Sequence, residues 1–206
     1  VPIVDAIVKH LEQHAAEVTT IDDSRISKKV TLPMRFKRVY VDEEHGRVLF
    51  GGKQIYELDP SNKKYLSNAK QKRIILALEI FENTVLITRS GTIGKVAIAP
   101  KHWEHWVPSD HIIRVFPASD DIAGYLYVFL SSDYGYQLIT RFTYGSVVDE
   151  IDDNYVRQIA IPLLKNHNVQ DRINSLALKA NAKRYEAYQL EQQALKMMND
   201  DVLYSK

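Results

Sequence analysis

The sequence predicts an α+β fold: a globular unit built on a twisted, largely antiparallel sheet with flanking helices, followed by a long coiled-coil-type helix. Three observations carry this. Residues 86–98, LITRSGTIGKVAI, read as strand, glycine turn, strand. Residues 2–18 repeat Ile3, Ile7, Val8, Leu11, Ala15 and Val18 at helical spacing, with Lys9, Glu12 and Gln13 opposite. Residues 169–203 contain no proline or glycine and are rich in Ala, Leu, Gln, Lys and Glu, all good helix formers. We divide the chain into a globular domain, residues 1–167, and the long helix, residues 168–206.

Bulk properties bound the function. The 206 residues suit one domain with an appendage, and 45% apolar with 26% charged residues suit a packed globular chain. No cysteine is present, which excludes disulfides, thiolate metal sites and a cysteine nucleophile. The expected location is the cytoplasm. No apolar run reaches the ~20 residues that span a bilayer, and no signal peptide is visible. Net charge is only +1, but its distribution is uneven. Residues 24–41 hold Arg25, Lys28, Lys29, Arg35, Lys37 and Arg38 and no acid; Lys63, Lys64, Lys70, Lys72 and Arg73 form a second cluster. A near-neutral chain with local basic patches suits contact with nucleic acid through one face, or two solvated faces.

Taken in order, residues 2–18 are expected to form one helix. Residues 37–41 and 47–50 read as short strands, the second bracketed by Gly46, Gly51 and Gly52. Residues 59–62, Asp-Pro-Ser-Asn, are a turn. The apolar run 74–81, IILALEIF, is either a strand or two turns of helix. The hairpin at 86–98 follows, then an aromatic and histidine-rich segment, KHWEHWVP, and a strand at 112–116. Residues 122–137 read as a helix, 143–146 as a second glycine loop, and 156–161 as a strand stopped by Pro162.

In the long helix, a heptad with Ile173 at a places Ile173, Ala180, Ala187 and Ala194 along one seam. Leu176, Lys183, Leu190 and Met197 stand at d, a coiled-coil pattern with one polar break. The alanines admit a close partner helix. Ile173, Leu176, Ala180, Ala187, Leu190, Ala194 and Met197 are the expected partner-facing residues.

The glycine loop holds the most polar equipment. Arg89, Ser90, Thr92 and Lys95 surround Gly91 and Gly94, and hydroxyls, free N–H groups and cations suit a phosphate or a base edge. It is not a P-loop: two residues separate the glycines instead of four, and Val96 follows the lysine. His102, His105 and His111 match no metal-ligand spacing, and Asp149, Glu150, Asp152 and Asp153 fit no calcium loop. No serine-hydrolase elbow, methyltransferase signature or nuclease motif is present. We therefore assign no catalytic residue, no metal and no cofactor. Among the tyrosines near glycines, turns or bases (Tyr40, Tyr56, Tyr65, Tyr134, Tyr136, Tyr144), Tyr144 beside Gly145 and Ser146 is the favoured contact residue.

From about residue 49 to the C terminus these pieces form an ordered set. It comprises LITRSGTIGKV at 86–96, SDHIIRV at 109–115, YLY at 125–127 and LSS at 130–132. Tyr144-Gly-Ser146, IAIPL at 159–163 and Gln170 with Ile173 at the head of the long helix complete it. The set resembles the specificity subunit of type I restriction–modification systems, in particular one target recognition domain followed by one conserved helix. The resemblance implies a non-catalytic subunit that reads one half of a split double-stranded DNA target. Its long helix packs antiparallel against a second one, from the same full-length chain or from a homodimer, and spaces the half-sites. Modification subunits that methylate adenine with S-adenosylmethionine dock on it, and restriction subunits join them. One domain and one helix imply a half subunit that dimerises or a piece of a longer one, and the absent initiator Met favours the piece. The candidate DNA-contacting residues are Arg89, Ser90, Thr92, Lys95, Tyr144, Ser146, Lys28, Lys29, Arg35, Lys63 and Lys64. Two other readings stand beside this one: the recognition domain of a fused restriction–methylation enzyme, and an assembly module acting through its helix.

Overall fold

The structure is a computed structural model, and it describes residues 2–141 and 150–203. Tyr144 and Ser146 lie outside the described residues. Helix α1, Pro2–His14, turns Val4, Ile7 and Leu11 into the main core. The expected helix to residue 18 stops there. Ala15 and Val18 continue the helical spacing but belong to strand β1, Ala15–Thr20, which pairs antiparallel with β10, Ala160–Leu164. The β-branched Val18-Thr19-Thr20 favour that extended backbone. Pro162 does not stop its strand; it sits inside β10, opposite Val18. A two-stranded ribbon leaves one edge of each strand free, so the missing proline N–H costs no ladder bond there. Val156, expected in that strand, lies instead in the short helix α5, Asp153–Arg157, capped by the Asp152 carboxylate on Tyr155 N.

The central sheet runs β2 (Ser27–Thr31), β9 (Ile112–Pro117), β6 (Val85–Thr88), β7 (Val96–Ile98), all antiparallel. Strand alternation sends its side chains to two different cores. Val85 and Ile87 meet Ile113 and Val115 in the main core, while Leu86 and Ile112 face Phe50, Trp103 and Trp106 on the other side. Both faces are covered, which is why β6 reads as continuously apolar.

A second four-stranded sheet holds β3 (Tyr40–Val41), β5 (Lys64–Ser67), β4 (Gly46–Phe50) and β8 (Val107–Pro108), with β8 parallel to β4. The antiparallel character expected of the domain is thus shared among three sheets of the described residues. Residues 74–78, ambiguous by period, complete helix α2, Asn68–Leu78, whose start is capped by Ser67. The helix expected over 122–137 is two helices, α3 (Asp120–Ser131) and α4 (Asp133–Thr140). Ser132 divides them: its Oγ donates to Phe129 O and accepts from Gly135 N.

Helix α6, His167–Met198, is capped by Asn166 and ends in a π-helical turn, Asn199–Leu203. Its 32 residues extend about 48 Å. It crosses α3 where Gly124 has no side chain; a Cβ there would lie 2.4 Å from the Asn174 carbonyl oxygen. Asn174, Ala177 and Asn181 form its buried stripe. Asn174 Oδ1 accepts from Tyr125 N and its Nδ2 donates to Asp120 O, while Asn181 Nδ2 donates to Ala99 O at 2.9 Å. No described helix is long and apolar enough to cross a membrane.

Candidate nucleic-acid interface

The β6–β7 hairpin is held by one side chain at its base. Thr88 Oγ1 donates to the Thr92 carbonyl and accepts from Lys95 N, and Gly94 N donates to Thr88 O. Gly91 and Gly94 take φ of 76° and 77°, backbone that L side chains rarely adopt. The loop is therefore pre-formed, and it has two sides. Ser90, Gly91 and Thr92 line a hollow of about 310 Å³ facing the Gly51-Gly52-Lys53 loop, with Ser109 and His111 between them. Lys95 faces a different hollow with Ser131, Asp133 and Tyr136, and its ammonium lies 5.4 Å from the Tyr56 ring. The four loop residues expected to act together are thus separated by the hairpin.

The Ser90 side continues into a neighbouring hollow of about 230 Å³ lined by Arg38, Tyr40, Gln54, Asn62 and Lys64. Gly51, Ser109 and His111 line both, so the two adjoin in one groove, with His111 common to both parts. The His111 ring is fixed by its Nδ1, 2.6 Å from Ser90 Oγ, and its carbonyl accepts from Arg89 N. Lys64 lies over the Tyr40 ring. Guanidinium, ammonium, amide, imidazole and hydroxyl groups together offer the donors and acceptors that phosphates and base edges pair with. Of these residues only Ser90, Thr92 and Lys64 were among the candidates read from sequence. His111, Gln54, Asn62 and Arg38 lie outside those candidates; the Gly51-Gly52 pair opens a short 3-10 turn, Gly52–Gln54, rather than a positive-φ glycine loop.

The groove's walls are braced from below. Asp110, almost fully buried, receives the guanidinium of Arg38 and has Arg35 Nε at 3.6 Å. Arg114, fully buried, donates to the carbonyls of Leu78, Ile112 and Pro108. Burial pushes its guanidinium down to about 9, partly offset by the Asp110 charge. The SDHIIR stretch therefore combines a groove residue, His111, with the two charges that hold it.

The remaining candidates lie elsewhere. Arg89 is bound to Glu150, with 17% of its side chain exposed. Lys63 is bound to Asp59 and lies over Trp106. Lys28 and Lys29 are exposed at the far end of β9 from the glycine loop, Lys29 over Phe116. Arg35 is largely exposed beside Asp110. Arg25, from the same basic stretch, is paired with Glu17 and Asp23. Among the described residues no group of His, Asp or Glu could hold a metal ion; His102 points at the Leu58 carbonyl and His105 at Glu79. On α6 the seam runs beside the buried stripe, with Ala180 and Ala187 toward the domain. Leu176, Ala180, Ala187, Leu190, Ala194 and Met197 are exposed, and only Ile173 packs partly against the main core.

A family model, type I restriction modification DNA specificity domain, matches residues 54–176. The chain belongs to this family. No curated protein matches the chain. Among solved structures, the HsdS subunit from Thermoanaerobacter tengcongensis is 15% identical, with a TM-score of 0.57 over 96% of this chain and 46% of that one. A structure described as the structural basis underlying complex assembly and conformational transition of the type I R-M system is 15% identical, with a TM-score of 0.53 over 93% and 50%. The type I S subunit from M. genitalium is 16% identical over 79% and 38%, with a TM-score of 0.49. At these identities the likeness is one of fold. The chain spans half or less of each of these structures.

The matched part of this specificity-domain chain runs from Gln54 to Leu176 and encloses the glycine loop, His111 and Arg114. Beyond it, α6 is clasped to the domain a second time. The His102 ring stacks on Tyr188, centroids 4.0 Å apart and nearly parallel, and Gln192 donates to Asp59. Between this clasp and the Asn174–Asn181 stripe, Ala180 and Ala187 border an apolar groove of about 370 Å³ floored by Trp103 and Ile98.

Proposed function

We propose that this chain is a sequence-reading module of a type I restriction–modification complex and recognises one half of a bipartite double-stranded DNA target. The observation that carries the reading is the groove that shares His111, walled by two glycine-bearing loops and edged by Arg38 and Lys64, on a chain of the specificity-domain family. Rigid loops on a packed scaffold suit groove readout. The exposed seam of α6 takes a second long helix, from the same full-length chain or from another copy. Modification subunits dock on that assembly and supply adenine methylation and its S-adenosylmethionine, restriction subunits join them, and the complex works in the cytoplasm. The chain itself contributes recognition, not catalysis. Target bases found by methylation mapping in cells give the test duplex. The assembled complex is expected to prefer that duplex over a scrambled one and to lose affinity steeply with salt as phosphate contacts release counterions. Equal binding to both duplexes overturns the reading.

A further inference from the structure

The connection between β2 and β3 carries a side chain that the fold does not use. Met34 is 88% exposed, more than any other large apolar side chain among the described residues. Its footing is anchored on the C-terminal side. Pro33 precedes it and fixes its own backbone φ. Phe36 packs against the core of the second sheet, around Leu49, Leu66 and Val107. Gln71 then clamps the backbone on both sides of Arg38, donating to Lys37 O at 2.7 Å and accepting from Val39 N at 2.8 Å. The tip is also cationic: Arg35 is 83% exposed, Lys37 is exposed, and no acid occurs from residue 24 to 41. Its position follows from Asp110. That carboxylate holds Arg38, which lines the groove, and sits 3.6 Å from Arg35 Nε, while its neighbours Ser109 and His111 line the groove floor. Pro33-Met34-Arg35 therefore lies near Asp110, the residue between groove-lining Ser109 and His111.

We infer that Met34 is a wedge that inserts between base pairs at the edge of the half-site while Arg35 and Lys37 hold the flanking phosphates. This rests on the reading of the groove as a DNA surface. An apolar side chain on an exposed cationic tip matches the chemistry of a stacked duplex, which presents phosphates outside and apolar base faces once a step opens. Methionine is unbranched and polarisable, and side chains of this class enter base steps, unstack them and kink the duplex. A step opened beside the target also reduces the work of turning a base out of the stack, as methyl transfer requires.

The test uses the full chain assembled with its modification subunits and duplexes carrying 2-aminopurine at successive steps through and beside the half-site. The wild-type complex is expected to brighten the probe at one step at the half-site edge. Met34→Ala is expected to lose that signal and to weaken binding roughly ten-fold, whereas Met34→Leu keeps both within about two-fold. An identical fluorescence trace for wild type and Met34→Ala, with selective binding intact, overturns the wedge alone. Failure of Met34→Ala to assemble with the modification subunits also overturns it, because Met34 is then a protein contact. A wild-type complex with no preference for its target overturns the groove reading and the wedge together.

Discussion

The guanidinium of Arg89 closes on the carboxylate of Glu150, and Arg89 Nε donates to the Ile151 carbonyl at 3.2 Å. The backbones join as well, Ile151 N donating to Arg89 O and Ser90 bridging to Glu150. The most conspicuous cation of the glycine loop is thus an anchor that ties the hairpin to the chain 61 residues later. Arg89→Ala should destabilise the fold by about 1–3 kcal/mol, the range for stranding a partly buried charged partner. Thermal unfolding checks this. A wild-type melting curve combined with weakened DNA binding would restore Arg89 as a direct contact.

The two sides of the hairpin separate a second pair of outcomes. His111 lies in the middle of the groove and Lys95 lies behind the hairpin against Tyr56. His111→Ala should cost about 1–3 kcal/mol of binding to the target duplex, the range for a specific base-edge contact, with the fold intact. Lys95→Ala should cost less. Fluorescence anisotropy with the assembled complex ranks them, and a larger loss for Lys95→Ala would place DNA on the Tyr56 side.

Legibility in the sequence followed the range of the forces involved. The hairpin was readable because Gly91 and Gly94 meet a local backbone demand at φ near 76°. The long helix was readable from composition, and its exposed seam from heptad spacing. Ala15 and Val18 misled because they fit a helical period, while their fate was settled by β10, some 145 residues away. The surroundings of the charges also depend on the fold. Arg25, Lys63, Arg89 and Arg38 each meet an acid that composition alone does not reveal. The Ser90–His111 contact joins two loops 21 residues apart, so no periodicity reveals the groove. Asn174 and Asn181, ordinary polar residues on a solvated helix, became its buried stripe because α3 and Ala99 offered them backbone partners.

That stripe can be challenged at Gly124. A Cβ at this position meets the Asn174 carbonyl at 2.4 Å and Ala177 Cβ at 3.0 Å, and neither the α6 backbone nor an alanine Cβ can swing aside. Gly124→Ala should therefore push α6 off α3 and cost about 1–3 kcal/mol, as overpacking does. It should also raise the rate of amide exchange at the start of α6. A variant as stable as wild type, with the same exchange, would show that the helices do not cross this closely.

The second clasp on α6 responds to acid. His102 Nε2 lies 2.7 Å from the Leu58 carbonyl and so carries the proton, which leaves Nδ1 bare, buried and without a hydrogen-bond partner. Burial holds the imidazole below its ordinary value, and Lys63 adds to this; the Leu58 carbonyl and Asp59 oppose it. In the unfolded chain the ring titrates near its ordinary value of about 6.5. Between the two values the unfolded state binds the proton more readily, so stability rises with pH there. The His102 contribution is complete above about 6.5 and is lost as pH falls through the lower folded value. Protonation would place an unpartnered N–H in the stack on Tyr188, loosening α6 where Gln192 meets Asp59. His102→Gln cannot titrate there. The melting temperature of the wild-type chain should therefore drop more on moving from neutral to mildly acidic buffer than that of His102→Gln. Parallel pH dependence in the two proteins would remove His102 as the acid-sensitive group.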